Sequence, residues 1–479
     1  MQTRSGGSDM RYCGVNRKRR AVNVAHRQLA EGDGQRCEEI ILSEQSDHPQ
    51  GIFSRYLSAL SYRDYRILWV ANLSAQAAAW ALIVARMELT YVMSGSAGLA
   101  GLVTFAAMIP RVLVTPISGY FSDRYDRRKV LACMFSLNLV HNIILTIMAF
   151  SGSLQVWHLV MLSLINGSAR AAQMPTGQAL LPNLVPRHLL LNAVALNQAT
   201  QQGARLVGPA AILPFMAFAG PKAAFALCIG FYALSLILSL CIRTVSTGKI
   251  DPNKSILRNM AEGAIYMYQN LTLRALVLLT LFHCGLTMSF ESLLPVVSRQ
   301  LLGAEGIGVS VLMMGVGTGA LCSSIYLAGV RDEAARGKLF WYSGILSGLA
   351  PCLLGLSAAI PMAMSLRHDQ GLFLGVFLAL AGVFVMGASQ SGYMTLTHTM
   401  IQTIAPDAVR GRIGGIYSIH IGGTMALVNL LNGALADYIN APVILIGGGA
   451  LFVVMMFWSW KYISLRQIYT QGLRVEAPA

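Results

Sequence analysis

An all-α protein that crosses a membrane many times is what this sequence predicts, and three observations predict it. Of its 479 residues, 55% are hydrophobic and only 12% are charged. A soluble domain carries about twice that share of charge. The apolar residues also fall into blocks of about 20 or more, the length that crosses a hydrocarbon core about 30 Å thick at about 1.5 Å per helical residue. Barrel strands of about 10 residues, alternating polar and apolar, are missing.

Taken in order, residues 1–60 are polar and basic, with Arg17-Lys18-Arg19-Arg20 and no apolar stretch of the kind a signal peptide needs. They read as a disordered cytoplasmic tail. Six apolar spans follow at about 67–93, 97–120, 130–150, 156–181, 188–217 and 221–242. Six more lie at about 273–300, 306–329, 338–361, 371–402, 409–436 and 441–463. The predicted organisation is a six-helix bundle over 61–242, a cytoplasmic linker over 243–272, a second six-helix bundle over 273–463 and a cytoplasmic tail over 464–479. Leu181-Pro182-Asn183-Leu184-Val185-Pro186 before the fifth span and Ile401-Gln402-Thr403-Ile404-Ala405-Pro406 before the eleventh mark an internal repeat. Repeats of this kind place a substrate site at mid-membrane, between the halves.

The net charge of +15 invites a nucleic-acid reading, but its distribution decides otherwise. Twenty-nine Lys and Arg fall in the termini and even-numbered connections, against three (Lys222, Arg299 and Arg367) in the opposite loops. This asymmetry puts both termini in the cytoplasm, and the expected location is the inner (cytoplasmic) membrane. The eight Cys form no C-x-x-C pair and read as small packing residues. No metal-ligand spacing, P-loop or nucleophile–base set occurs, so neither an enzyme nor a cofactor is expected. Gly315-Val316-Gly317-Thr318-Gly319 and Gly447-Gly448-Gly449 lie inside apolar spans and predict close helix packing.

The loop Gly119-Tyr120-Phe121-Ser122-Asp123-Arg124-Tyr125-Asp126-Arg127-Arg128-Lys129 resembles the loop 2–3 signature of the major facilitator superfamily. Asp126 stands where the general form has Gly, as in the drug- and siderophore-exporter branch. Leu191-Asn192-Ala193-Val194-Ala195-Leu196, Arg205-Leu206-Val207-Gly208-Pro209 and Pro406-Asp407-Ala408-Val409-Arg410-Gly411-Arg412 are similar to that branch too. The resemblance covers about residues 60–440. It implies the major facilitator fold and gradient-driven, proton-coupled export of a small amphipathic molecule by alternating access. An importer or a lipid-translocating member of the same fold is the alternative. It also implies a conformational gate at Gly119, Asp123, Arg124, Arg127 and Arg128, with Arg410 and Arg412 as neighbours. The equivalent Asp in relatives caps the eleventh span. The alternative is that these charges only set topology.

Charge within a span is costly, about 2.5–3.5 kcal/mol or more, and marks function or pairing. Arg86 and Glu88 in span one and Glu291 in span seven fall at similar depth. They are expected to form an outer-half cluster that binds a charged solute or carries a proton, with protonation competing against substrate. A buried ion pair locking two helices is the other reading. Arg111 and Arg205 lie deep in spans two and five, Arg170 near the end of span four, and His283 and His420 near mid-depth of spans seven and eleven. For the two histidines, packing competes with proton relay. The expected partners are thus a small-molecule substrate, a proton or other ion gradient and the lipid bilayer around a monomer, with no nucleic acid.

Overall fold

A computed structural model of the chain describes residues 58–186, 189–246, 256–302, 307–330, 332–363, 368–406 and 409–473. The expected tail up to residue 57, part of the expected linker (247–255), Arg187, Arg367 and Asp407 lie outside the described residues. So does the side chain of Asp123. Among the described residues the chain is helical, with no strand.

The helices of the first half are α1 (Arg63–Ser94), α2 (Ala97–Met108), α3 (Pro110–Arg124), α4 (Arg127–Phe150), α5 (Val156–Leu180), α6 (Leu190–Ala219) and α7 (Pro221–Leu240). Those that follow are α8 (Ile256–Gln269), α9 (Leu271–His283), α10 (Leu294–Leu302), α11 (Ile307–Gly329), α12 (Glu333–Ala363), α13 (His368–Ile404), α14 (Arg410–Ala436), α15 (Ala441–Ser459) and α16 (Ile463–Gln471). Their ends follow local chemistry. Gly95 adopts φ +67°, the left-handed conformation that ends α1 without a Cβ clash. Ser96 then caps α2 by accepting from Leu99 N at 3.2 Å. Asp126 caps α4 by accepting from Arg128 N at 3.1 Å. Here the Asp variant of the loop signature has a local task.

Ten of these elements or pairs are long and apolar enough to cross a membrane. The expected fourth and fifth spans, α5 and α6, are long but too polar to join them. Asn166, Arg170, Gln173 and Gln178 on α5 and Asn197, Gln201 and Arg205 on α6 lower their hydropathy. Those side chains line the interior described below.

Helices α1–α7 pack chiefly among themselves, through α1 on α7 and α6, and α5 on α2, α3 and α4. Among the later helices, α12 packs on α13 and α15, and α13 also on α11. Two seams join the sets: α6 against α11, and α2–α3 against α14. The start of α1, the end of α7, the start of α14 and α16 all fall at one end of the molecule, called here the near end. The α1–α2 turn and the end of α14 define the far end.

Three helical elements fall outside the expected spans. The tail is helical from Ser58 to Ser61, where disorder to residue 60 was expected. The linker is no plain connection: its α8 lies along α14, with Arg412 bonded to Glu262 at 2.7 Å and Tyr268 donating to His420 Nε2 at 2.6 Å. The C-terminal tail starts as α16, whose Leu465, Ile468 and Tyr469 bury against α12. Both helices are short and amphipathic, a pattern that hydropathy averaged over about 19 residues does not register.

The seventh span is also interrupted. After α9 come a π-helical turn (Cys284–Met288), an irregular Ser289 and Phe290, and a single 3-10 turn (Glu291–Leu293) that leads into α10. A break inside a membrane leaves backbone groups that must be satisfied by protein. Gln390 donates to Thr287 O at 2.8 Å, Asn432 to Ser289 O at 2.6 Å, and Asn429 Oδ1 accepts from Ser292 N at 3.2 Å. Close approach of α15 helps, since a Cβ on Gly448 would lie 2.7 Å from Leu286 O.

Candidate functional site

The break in span seven holds Glu291 at the centre of the molecule, 2% exposed. Its carboxylate accepts from Asn429 Nδ2 at 2.7 Å. The Arg205 and Arg111 guanidiniums lie within electrostatic reach of it, and Arg170 within reach of Arg111, Arg205 and Glu291. Trp80 on α1 sits under two of these cations. Arg205 lies 4.5 Å from its ring centroid and Arg170 lies 5.5 Å from it, both within cation–π range. Phe290, Met313 and Gln390 complete a small hollow against Trp80, Arg205 and Glu291. Towards the near end the wall becomes a run of amides, among them Asn72, Gln76, Gln173, Asn197 and Gln201.

The expected cluster of Arg86, Glu88 and Glu291 is not what forms. Arg86 is 2% exposed but turns into the interior of the first helix set. There it donates to Ser163 Oγ at 3.1 Å and to His141 Nε2 at 3.2 Å. Around this pair Asn166 bonds Asn138 at 2.7 Å, and Asn142 bonds Phe225 O at 2.8 Å. A helical rotation of about 100° per residue sends positions two apart to nearly opposite faces, so Arg86 and Glu88 diverge. Because Arg86 is buried among neutral partners, its fork geometry is what satisfies two acceptors at once. Arg86→Lys is therefore expected to lower unfolding stability by about 2–4 kcal/mol, read as a drop in the thermal midpoint. An unchanged midpoint with altered transport would instead make Arg86 a cargo residue.

Glu88 takes another partner across the seam. It lies 3.6 Å from Arg299 on α10, an ion-pair distance too long for a hydrogen bond. Arg299 also stacks over Tyr91 at 4.7 Å. His283 lies outside the chamber. It bonds Ser347 at 2.7 Å and stacks on Tyr393 at 4.2 Å, in an aromatic nest with Phe452. The packing reading of His283 is the one these contacts favour.

Two seams close the chamber from its own level towards the far end. On one, Asp437 at the end of α14 accepts from Ser96 Oγ at 2.6 Å, Ala97 N at 2.8 Å and Gly98 N at 3.1 Å. A carboxylate thus caps the N-terminus of a helix from the other set, where dipole and orphan N–H groups favour it. Farther in, Arg111 runs across the seam along Gly422, where an added Cβ would lie 2.7 Å from Arg111 Cδ. On the other seam, a Cβ at Gly317 of α11 would lie 2.5 Å from Leu206 N of α6. Towards the near end the same helices face open space at Gly203 and Gly415. The sequence reading missed Asp437. A lone acid after an apolar span gives no signal until its partner helix is known.

The loop 2–3 residues stand near the opposite end. Arg128 bonds Asp126 at 3.0 Å and the carbonyls of Ile242 at 3.1 Å and Arg243 at 3.3 Å. Arg127 donates to Ala179 O at 3.0 Å, and Arg124 lies over Tyr125 at 5.9 Å. Arg410 donates to Ala405 O at 3.3 Å. Gly119 lies within α3. The bonds named for Arg127, Arg128 and Arg410 run to groups of their own helix set.

Comparison with known proteins fits this geometry. The family model described as transmembrane secretion effector matches residues 54–472. The chain belongs to that family, within the major facilitator superfamily. It is 23% identical to macrolide efflux protein A of Streptococcus pyogenes over 72% of this chain and 83% of that protein. It is 23% identical to the multidrug efflux pump Tap of Mycolicibacterium fortuitum over 81% of this chain and 95% of that protein. Among solved structures, a nucleoside transporter crystal structure superposes with a TM-score of 0.66 at 10% identity, covering 83% of this chain and 99% of that one. As a member of this family the chain is a multi-pass membrane transporter of small molecules and not an enzyme.

Proposed function

We propose that the chain exports a small amphipathic solute by alternating access, driven by the proton electrochemical gradient. In this reading it crosses the membrane twelve times, as two six-helix bundles, with α2–α3 and α9–α10 each forming one crossing. The near end and both termini are cytoplasmic, in the inner (cytoplasmic) membrane, as the 29-to-3 split of basic residues between the two sets of loops supports. The protein works as a monomer.

The observation that carries the proposal is a charged chamber at mid-depth, sealed by two seams on the far side, with open space at Gly203 and Gly415 on the near side. That arrangement is an inward-facing carrier. Rocking the two sets about the chamber would part Asp437 from α2 and bring the near ends together. Gly119, Asp123, Arg124, Arg127 and Arg128 would then meet Arg410 and Arg412 as the cytoplasmic gate. The names of the macrolide and multidrug relatives support efflux over uptake.

Glu291 is the group assigned to the coupled proton, because it alone among the described residues brings a buried carboxylate to the chamber's cations. Glu88 belongs to the far-end closure. In proteoliposomes with an imposed pH gradient, Glu291→Gln should remove the pH dependence of flux, while Glu88→Gln should slow flux and leave its pH profile. If both variants kept the wild-type profile, the proton assignment would fail. If the wild-type protein moved no solute under either gradient component, the transporter proposal itself would fail.

A further inference from the structure

We infer that the exported solute is an anion, a carboxylate or phosphate joined to an aromatic or aliphatic body. This deepens the transporter proposal and rests on it. The charged groups within electrostatic reach of one another here are three guanidiniums, Arg111, Arg170 and Arg205, and one carboxylate, Glu291, and two of the guanidiniums, Arg170 and Arg205, lie over Trp80. They come from α3, α5, α6 and the break in span seven, so no single helix explains their meeting. The chamber thus has two more positive charges than negative ones. Among the described residues neither Arg111 nor Arg205 donates a hydrogen bond to a protein acceptor, and the buried Nε of Arg170 has no partner.

Excess cations at mid-membrane are held at a cost unless an anion or water meets them. Guanidinium forks match carboxylate and phosphate oxygens in pairs, which ammonium groups do not. Arg86 donates to Ser163 and His141, with its buried Nε unpartnered. Among the chamber guanidiniums, Arg170 reaches the Gln76 amide at 3.4 Å, and Arg170 and Arg205 lie over the Trp80 ring. Trp80, Phe290 and Met313 are the apolar side chains around this hollow, which has no room for a water molecule in this conformation and would have to widen to take the rest of the solute.

An inside-negative potential drives a monovalent anion outward, by about 2.3 kcal/mol per 100 mV, which suits the export direction.

The test is the thermal midpoint of the full chain in uncharged detergent, with matched ligands on one scaffold. Naphthylacetate, naphthylacetamide and naphthylmethylamine share the naphthylmethyl body and carry anionic, neutral and cationic head groups, and lysophosphatidate is compared with a monoacylglycerol of the same chain. The expected result is that anionic members raise the midpoint, while neutral and cationic members do not. Relative to each variant's own ligand-free midpoint, Arg205→Gln and Arg111→Gln should weaken anion binding by about tenfold or more, the scale of one charge-assisted contact. A shift from naphthylacetate marks a cytosolic source, and one from lysophosphatidate alone marks the lipid leaflet. Both support the inference. A larger shift from the amine, no shift from any anion, or an anion shift that survives the combined Arg111→Gln and Arg205→Gln change overturns it. Anion binding without flux in proteoliposomes would leave this inference standing and remove the transporter proposal. Flux of cationic amphiphiles alone would do the reverse.

Discussion

Gly317→Val should nearly abolish transport while leaving the protein folded within each helix set. Gly317 is where α11 meets α6, and its absent Cβ would fall 2.5 Å from Leu206 N and 2.7 Å from Arg205 C. Both are backbone atoms of a long helix and cannot turn aside as a side chain would. Overpacking of this kind costs typically about 1–3 kcal/mol and more where backbone must move. At about 3 kcal/mol the far-end-closed state loses roughly two orders of magnitude in population relative to the open one. Solute flux should fall accordingly. A normal circular-dichroism spectrum together with an increased distance across the far end would show that closure is what failed. Unchanged flux would mean that this seam does not need to close so tightly.

Asp437→Ala acts on the second seam and should have a similar sign with a smaller size. The carboxylate satisfies two backbone N–H groups and one hydroxyl at the start of α2. It is solvent-exposed, so screening reduces its worth, and about 1–2 kcal/mol is the expected loss. That is about a 5- to 30-fold shift away from the far-end-closed state. Spin labels at the exposed Val92 and Ile439, in a background without other reactive cysteines, should report a longer mean distance. Asp437→Asn should lie between, because it keeps the acceptor and loses the charge. Equal distances in all three proteins would reduce Asp437 to a surface cap.

Much of the fold was legible because it depends on composition over about 20 residues. Blocks from 67–93 to 441–463 each coincide with a helix or a helix pair, although α5 and α6 are too polar to qualify as spans by hydropathy. The features missed were those that depend on shorter stretches or on partners far apart in sequence. Helix α8 within the expected linker and α16 within the expected tail are amphipathic and short. The break after His283 carries no signal in hydropathy, since Cys284, Leu286 and Met288 are as apolar as a helix would be. The candidate site was legible as a set of costly charges and not as an arrangement. Arg111, Arg205 and Glu291 do converge on one chamber, whereas Arg86 turns away and Glu88 pairs across the seam with Arg299. Depth along each helix was a usable guide. The rotation of each helix about its axis, which decides what a side chain faces, was not.

The central claim is that two helix sets rock about a chamber at mid-depth. Distances across both ends, measured on one preparation by paired spin labels, test it most directly. Val92 with Ile439 reports the far end, and Tyr125 with Thr403 the near end, all four being exposed. The account predicts that each pair samples two distances and that saturating solute or an imposed gradient shifts them reciprocally, one end lengthening as the other shortens. A single unchanging distance at both ends, or both ends opening together, would contradict it.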